Sequence, residues 1–211
     1  MHRDISGPKV CGMEVIGFEL GPIGTNAYLV LAPERGEAVL VDAPPGAPET
    51  VPDSLEARGC QLVALLLTHG HWDHTLGAPA IRDRGVPVFA HEGDRELFTN
   101  PSLMSGFAMP GLEMVPTEVD TWVNPGQPLE LLGEAVEIRH VPGHAPGSVL
   151  FYFPSRGWAF SGDAIFAGGV GRFDLPFGSW PELEHSIRSQ IYTLPDHTRL
   201  FPGHGPETTV G

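Results

Sequence analysis

The sequence predicts an α/β fold in which two packed β-sheets are covered by helices. Three observations carry this prediction. Short apolar or alternating runs of strand length recur through both halves of the 211 residues. Helical stretches with recognisable starts and stops punctuate them. Groups of His, Asp and Gly stand at the ends of several runs, where open α/β folds place their sites.

In the first half the pattern predicts strands near 13–20, 26–31, 37–42, 62–67 and 86–90, with helices near 50–58, 76–84 and 92–99. The run Leu62-Val63-Ala64-Leu65-Leu66-Leu67 is short and bounded by polar residues, as expected of a buried strand. In the second half, strands are predicted near 128–132, 135–140, 149–153, 157–162 and 198–201, with a helix near 180–192. Pro181-Glu182 after Ser179-Trp180 is a good helix start, and Leu194-Pro195 a good stop. Residues 100–127 form the long irregular stretch, rich in Pro and Gly: a lid, a substrate wall or a plain connection. With neither repeat nor linker visible, residues 1–211 read as one domain.

Composition narrows the function classes. At 41% apolar residues the chain suits an ordinary globule, and no apolar run approaches the roughly 20 residues of a membrane span. The amino terminus lacks the apolar segment of an export signal, so a cytoplasmic location and no membrane partner are expected. Cys11 and Cys60 are too few for a disulfide framework and read as reduced structural residues. A formal charge of −14 and a single lysine, Lys9, argue against nucleic acid as a partner.

Thr68-His69-Gly70-His71-Trp72-Asp73-His74 packs three imidazoles and a carboxylate into seven residues directly after a core strand. That density reads as a metal site. Imidazole suits zinc, iron, copper and nickel, and the carboxylate adds a hard oxygen. His69 and His71 project to the same side of an extended segment, while Asp73 and His74 lie one turn further on, so two subsites are possible. The H-E-x-x-H helix pattern is absent. Four ligands cannot complete two metal shells, and further candidates follow later strands: His144 in Pro142-Gly143-His144, Asp163 in Ser161-Gly162-Asp163, and His204 in Pro202-Gly203-His204. His2, His91, His140, His185 and His197 lack ligand context.

With Val41-Asp42 and Gly171-Arg172-Phe173-Asp174 added, these motifs resemble those of the metallo-β-lactamase superfamily, and within it the short glyoxalase II-like (hydroxyacylglutathione hydrolase-like) hydrolases. The resemblance covers nearly the whole chain and implies an αββα sandwich of two mixed β-sheets flanked by helices. It implies that His69, His71 and His144 hold one divalent ion, that Asp73, His74 and His204 hold a second, and that Asp163 bridges them. Asp42 is similar to the carboxylate that supports the first loop from behind the ligands, although a strand-ending turn residue reads the same in sequence. Asp at 163, where antibiotic-opening members commonly carry Cys, points to the thioesterase side of the family. Ala145 stands where members often have Thr, which removes a hydroxyl beside a ligand.

The implied activity is a dinuclear metal-dependent hydrolase of a small-molecule thioester such as S-lactoylglutathione, using a metal-bridging hydroxide with Asp73 or Asp163 as proton acceptor. Two zinc ions are expected, with iron or manganese as alternatives. A persulfide dioxygenase of the same fold with one iron, or a lactonase, is the competing reading. Arg172 is the candidate partner for a substrate carboxylate, with an ion pair to Asp174 as its structural alternative. Trp72, Phe166, Phe173, Phe177 and Trp180 are candidate pocket walls, with core packing as the default. The chain stops soon after His204, so the carboxyl-terminal glutathione-binding helical domain of full-length glyoxalase II is not expected.

Overall fold

The computed structural model describes residues 12–211. The expectations for His2, Lys9, Cys11 and the amino-terminal segment lie outside the described residues. Strands β1 (Glu14–Leu20), β2 (Thr25–Ala32), β3 (Glu37–Val41), β4 (Gln61–Leu66), β5 (Val88–His91) and β6 (Thr121–Val123) form one six-stranded sheet in that order. After β7 (Leu129–Leu131), β8 (Glu134–His140), β9 (Val149–Phe153) and β10 (Trp158–Gly162) comes a small hairpin of β11 (Ile165–Phe166) and β12 (Gly169–Val170), followed by β13 (Arg199–Pro202) and β14 (Thr208–Thr209). The second large sheet runs β14-β13-β10-β9-β8-β7. Both are mixed: β3, β4, β5 and β6 pair in parallel, β1 to β3 antiparallel, and β10 pairs parallel with β13.

Period-two alternation explains the layers. In β2, Ala27, Leu29 and Leu31 face outward, where Ala47 and Val51 of α1 (Ala47–Arg58) complete a core. Tyr28, Val30 and Ala32 of the same strand face the other sheet, against Phe151, Phe153, Phe160 and Phe201. Both faces of β2 are buried, so it reads as a near-continuous apolar run. On the second sheet, Leu150 and Tyr152 of β9 turn outward against Leu183. The order is helix, sheet, sheet, helix. At roughly 1.5–3 kcal/mol for each fully buried large aliphatic or aromatic side chain, these contacts dominate stability.

Several helices are shorter than the sequence pattern predicts. A separate short turn, α2 (Trp72–Thr75), stands in the loop after β4, and the stretch 76–84 is helical only as α3 (Ala78–Arg82), which starts after Gly77. A Cβ there would lie 2.7 Å from the Pro44 carbonyl and 2.8 Å from that of Ala43, so only glycine allows this close approach. The stretch 92–99 is a 3-10 turn followed by α4 (Arg95–Thr99), and 180–192 is α5 (Trp180–Ser186) continued by a π-turn at Ile187–Ile191. Helix α1 starts earlier than expected and accommodates Pro52, whose missing N–H leaves the Pro48 carbonyl to accept from Arg84 Nη1 at 2.9 Å. Residues 100–127 are less irregular than their composition suggests: a 3-10 helix spans Pro101–Phe107, and β6 extends the first sheet. Among the described residues, no helix is long and apolar enough to cross a membrane.

Candidate metal centre

One end of the sandwich gathers the predicted ligands. The loop after β4 carries His69, His71 and, in α2, Asp73 and His74; the β8–β9 turn carries His144; β10 ends before Asp163, and β13 before His204. The donor atoms of His69, His71 and His144 lie within 4.8 Å of one another, as do those of Asp73, His74 and His204. Asp163 lies between the groups, with Oδ1 3.4 Å from His74 Nε2 and Oδ2 3.5 Å from His144 Nε2 and 3.6 Å from His204 Nε2. Every ligand that the resemblance implies is therefore in one cluster.

Hydrogen bonds behind the rings decide which nitrogen faces inward. His74 Nδ1 donates to Asp42 Oδ2 at 2.8 Å, His144 Nδ1 to the Arg172 carbonyl at 2.7 Å, and His204 Nδ1 to the Gly24 carbonyl at 3.2 Å. Thr68 Oγ1 donates to Asp42 Oδ2 at 2.8 Å, so its lone pair receives His69 Nδ1 at 3.1 Å. Each Nε2 then presents a lone pair to the centre. Asp42 also accepts the Thr68 backbone N–H at 2.8 Å, from a left-handed φ of 59° that aspartate tolerates better than most residues. It is the bracing carboxylate, not merely a turn residue.

This arrangement is costly without a cation. His69 Nε2 and His144 Nε2 face each other at 3.2 Å with both protons committed elsewhere. Among the described residues His71 Nε2, His74 Nε2 and Asp163 Oδ1 are buried without a hydrogen-bond partner, although buried polar atoms are nearly always satisfied. A Cβ at Gly203 would lie 2.1 Å from Asp163 Oδ1 and 2.6 Å from His74 Cε1, so glycine keeps the cradle open. The donor set, imidazole and carboxylate, is that of zinc, iron or manganese.

Electrostatics agree with the geometry. Burial, followed by the neighbouring His144, pushes the His71 pKa down to about 3. Burial likewise holds His69 and His144 below the usual histidine range, keeping them neutral as ligands must be. At His74 burial acts in the same sense, but Asp73, Asp42 and Asp163 outweigh it and draw positive charge to that position. Burial would raise Asp73 and Asp163, yet the surrounding imidazoles, led by His74, hold both below the ordinary carboxylate range.

Sequence reasoning missed Asp94. It is 1% exposed, and its carboxylate accepts Gly70 N–H at 2.8 Å and Gly147 N–H at 2.5 Å. Gly70 lies between two ligands of the first loop and Gly147 follows His144, so one side chain ties both ligand loops together. The signal was present: Gly93-Asp94 follows β5 just as Gly162-Asp163 ends β10. Thr25 was also missed, and its Oγ1 donates to Asp73 Oδ2 at 2.8 Å. At Ala145 the missing hydroxyl is no loss to the loop, because Ser148 Oγ accepts the Ala145 N–H at 3.1 Å.

An open cleft of about 280 Å³ leads to the centre. Trp72 and Phe166 line it, whereas Phe173, Phe177 and Trp180 lie outside it and are exposed. Arg172 lines it too, but its guanidinium is paired with Asp174 at 2.9 and 3.0 Å, which is the structural alternative expected for it. His91 and His140 stack at 4.3 Å outside both ligand groups, and Cys60 is a buried free thiol.

Two mixed sheets inside helices, with a His/Asp cluster at one end, define a metal-binding αββα protein. The chain belongs to the metallo-β-lactamase superfamily, whose family model matches residues 20–204. It is 36% identical over 191 residues to the hydroxyacylglutathione hydrolase GloC of Haemophilus influenzae, with 88% of each chain covered. Among solved structures, the B3 metallo-β-lactamase BLEG-1 superposes with a TM-score of 0.85 at 35% identity, over 94% of this chain and 95% of that one. TTHA1623, solved in a di-iron-bound form, gives 0.79 at 37% identity, over 93% and 95%.

Proposed function

We propose that the protein is a dinuclear metal-dependent hydrolase of thioesters. The observation that carries this reading is a pair of three-residue ligand groups on either side of one carboxylate. His69, His71 and His144 would hold one ion and Asp73, His74 and His204 the other, with Asp163 reaching both. When bound, the ions supply Lewis acidity, lowering the pKa of water towards 7 and stabilising charge on a carbonyl oxygen. Zinc is the metal proposed; the di-iron form of TTHA1623 makes iron the first alternative to measure.

The chain's own residues set the rest. Asp73 and Asp163 are held ionised, so at neutral pH they accept a proton from the attacking water and cannot donate one. Among the described residues, and apart from the proposed ligands, Arg172 is the only titratable side chain lining the cleft, and a guanidinium does not give up its proton. A leaving group that needs no protonation is therefore favoured. A thiolate, whose parent thiol has a pKa of about 8.5, qualifies, whereas an alkoxide or an amide nitrogen does not. The likeness to GloC supports the same class and makes S-lactoylglutathione the first substrate to assay. The likeness to BLEG-1 favours a second reading, β-lactam opening, whose nitrogen leaving group would need a proton donor.

Metal content together with a panel of thioesters, lactones, β-lactams and glutathione persulfide decides among these. The expected result is close to two ions per chain and thioester hydrolysis fastest. One iron per chain, oxygen uptake with the persulfide and no thioester turnover would sink the proposal in favour of the dioxygenase.

A further inference from the structure

The two ligand groups are not equally enclosed. His69, His71 and His144 are 1%, 3% and 3% exposed, whereas the His204 side chain is 26% exposed. The ring of His204 is also loosely braced: its Nδ1 bond to the Gly24 carbonyl measures 3.2 Å, against 2.8 Å at His74 and 2.7 Å at His144. A ligand this open has to be held in place by more than its own ring.

Three consecutive residues, where the chain enters β2, do that holding. Beyond the Gly24 carbonyl, Thr25 forms a β-bridge with His204, and its Oγ1 donates to Asp73 Oδ2 at 2.8 Å. Asn26 clasps the backbone on both sides of His204: its N–H donates to the Gly203 carbonyl at 2.7 Å, and Nδ2 to the carbonyls of Pro202 at 2.9 Å and Gly205 at 2.8 Å. All these bonds end on Asp73 or on residues 202–205, and so on two of the three members of the second group. The first group is braced from other segments, by Thr68 behind His69 and the Arg172 carbonyl behind His144. Ile23, the residue before these three, lines the cleft with Phe107 and Val170 at its exposed rim, so one turn serves both the cleft wall and the ligands.

Thr25 acts on the ligand atom itself. Oδ2 is the Asp73 oxygen that lies 3.3 Å from His74 Nε2 and 3.2 Å from His204 Nε2. By occupying one lone pair of that oxygen, the hydroxyl fixes the carboxylate rotamer and leaves another lone pair for an ion. Thr25 is fully buried and β-branched in a strand, so it has little freedom to turn away. Resting on the two-ion reading, we infer that Thr25 is a positioning residue for the second ion alone, orienting Asp73 and thereby setting the dinuclear state independently of the first ion. Losing such an outer partner lowers metal affinity by about 10–100-fold, and here the loss falls on one ion of the two.

The test compares wild type with Thr25→Val, which removes the hydroxyl at nearly constant shape, and Thr25→Ser, which keeps it. Each protein is stripped, reloaded with zinc and titrated with a chelator, and anomalous diffraction from zinc-limited crystals of Thr25→Val locates the ion that remains. Wild type should hold two ions. Thr25→Val should hold one as tightly as wild type, at His69, His71 and His144, and release the other about 10–100-fold more readily. Thr25→Ser should hold both nearly as wild type does. Thr25→Ala makes the same deletion and carries the test if the valine variant fails to fold. A merely structural role would loosen both ions together. Equal loosening of the two, no loosening, or a serine variant as impaired as the valine variant overturns the inference and leaves the two-ion reading intact; a single ion in the wild type overturns both.

Discussion

The floor and the rim of the cleft are built on opposite principles. On the floor, five of the ligand residues, His69, His71, Asp73, His74 and His144, are buried, and four imidazoles have their outer nitrogen fixed by a named partner. At the rim, Ile23, Phe107 and Val170 are exposed side chains on turns and short elements. The floor is over-determined, so removing one member strands the others in a low-dielectric site. The rim is nearly independent of the fold, so changing one member alters only what touches it. Reaction type and substrate choice are therefore separable, in keeping with function residing in sites placed on a shared fold.

That contrast is open to breakage at graded strength. The largest effect is expected at Asp163, the carboxylate placed between the two ligand groups. Asp163→Asn should lower kcat/KM by on the order of 10³-fold and reduce bound metal, read by steady-state kinetics and elemental analysis. Full activity with normal metal content would remove Asp163 from the centre.

Next comes the bracing carboxylate. Asp42→Asn keeps a side chain compatible with φ of 59° but cannot accept from Thr68 and His74 as the carboxylate does. A loss of about 10–100-fold in metal affinity is expected, measured by competition with a chelator. An unchanged affinity would mean that the ligand rings hold their orientation without it.

Asp94 tests whether the floor's rigidity carries over to stability. Asp94→Asn replaces one of two acceptor oxygens by a donor facing a backbone N–H, at an expected cost of about 1–3 kcal/mol in urea unfolding. Burial raises the Asp94 pKa from 3.8 to about 6, against the pull of its two N–H bonds. The native state thus binds this proton more tightly than the unfolded chain, so its contribution is fully present below about pH 4 and is lost as pH rises through 6. The stability difference between wild type and Asp94→Asn, measured without metal, should therefore change between pH 4 and 6 and be level above it. A difference independent of pH would place the proton elsewhere.

The smallest effects belong to the rim. Phe107→Ala should raise KM for an apolar thioester by a few-fold with kcat nearly constant, because it removes binding common to ground and transition states. A fall in kcat equal to that of a floor variant would erase the distinction between the two regions.

Much of this was legible in the sequence, and the reasons are local. Strands β2 and β9 announce themselves because both faces are buried, and β4 because the run from Leu62 to Leu67 is uninterrupted although its first residues are partly exposed. The ligands were legible because metal chemistry restricts residue type and places Gly beside them. What the pattern lost were features set by distant contacts. Gly77 holds the start of a predicted helix back to Ala78 because the backbone at Ala43 and Pro44 lies against it, and β6 is a strand because β5 pairs with it.

By itself the sequence determined the alternating core, the strand-rich two-sheet pattern and seven candidate ligand positions, since periodicity and donor chemistry are properties of residues in order. Only the tertiary structure decided that Asp42 braces His74 and that Asp94 ties two loops 77 positions apart (Gly70 to Gly147). Each of those is a choice among several possible partners, and a side chain's partner is fixed by where the folded backbone brings the competing groups, not by its neighbours in the chain.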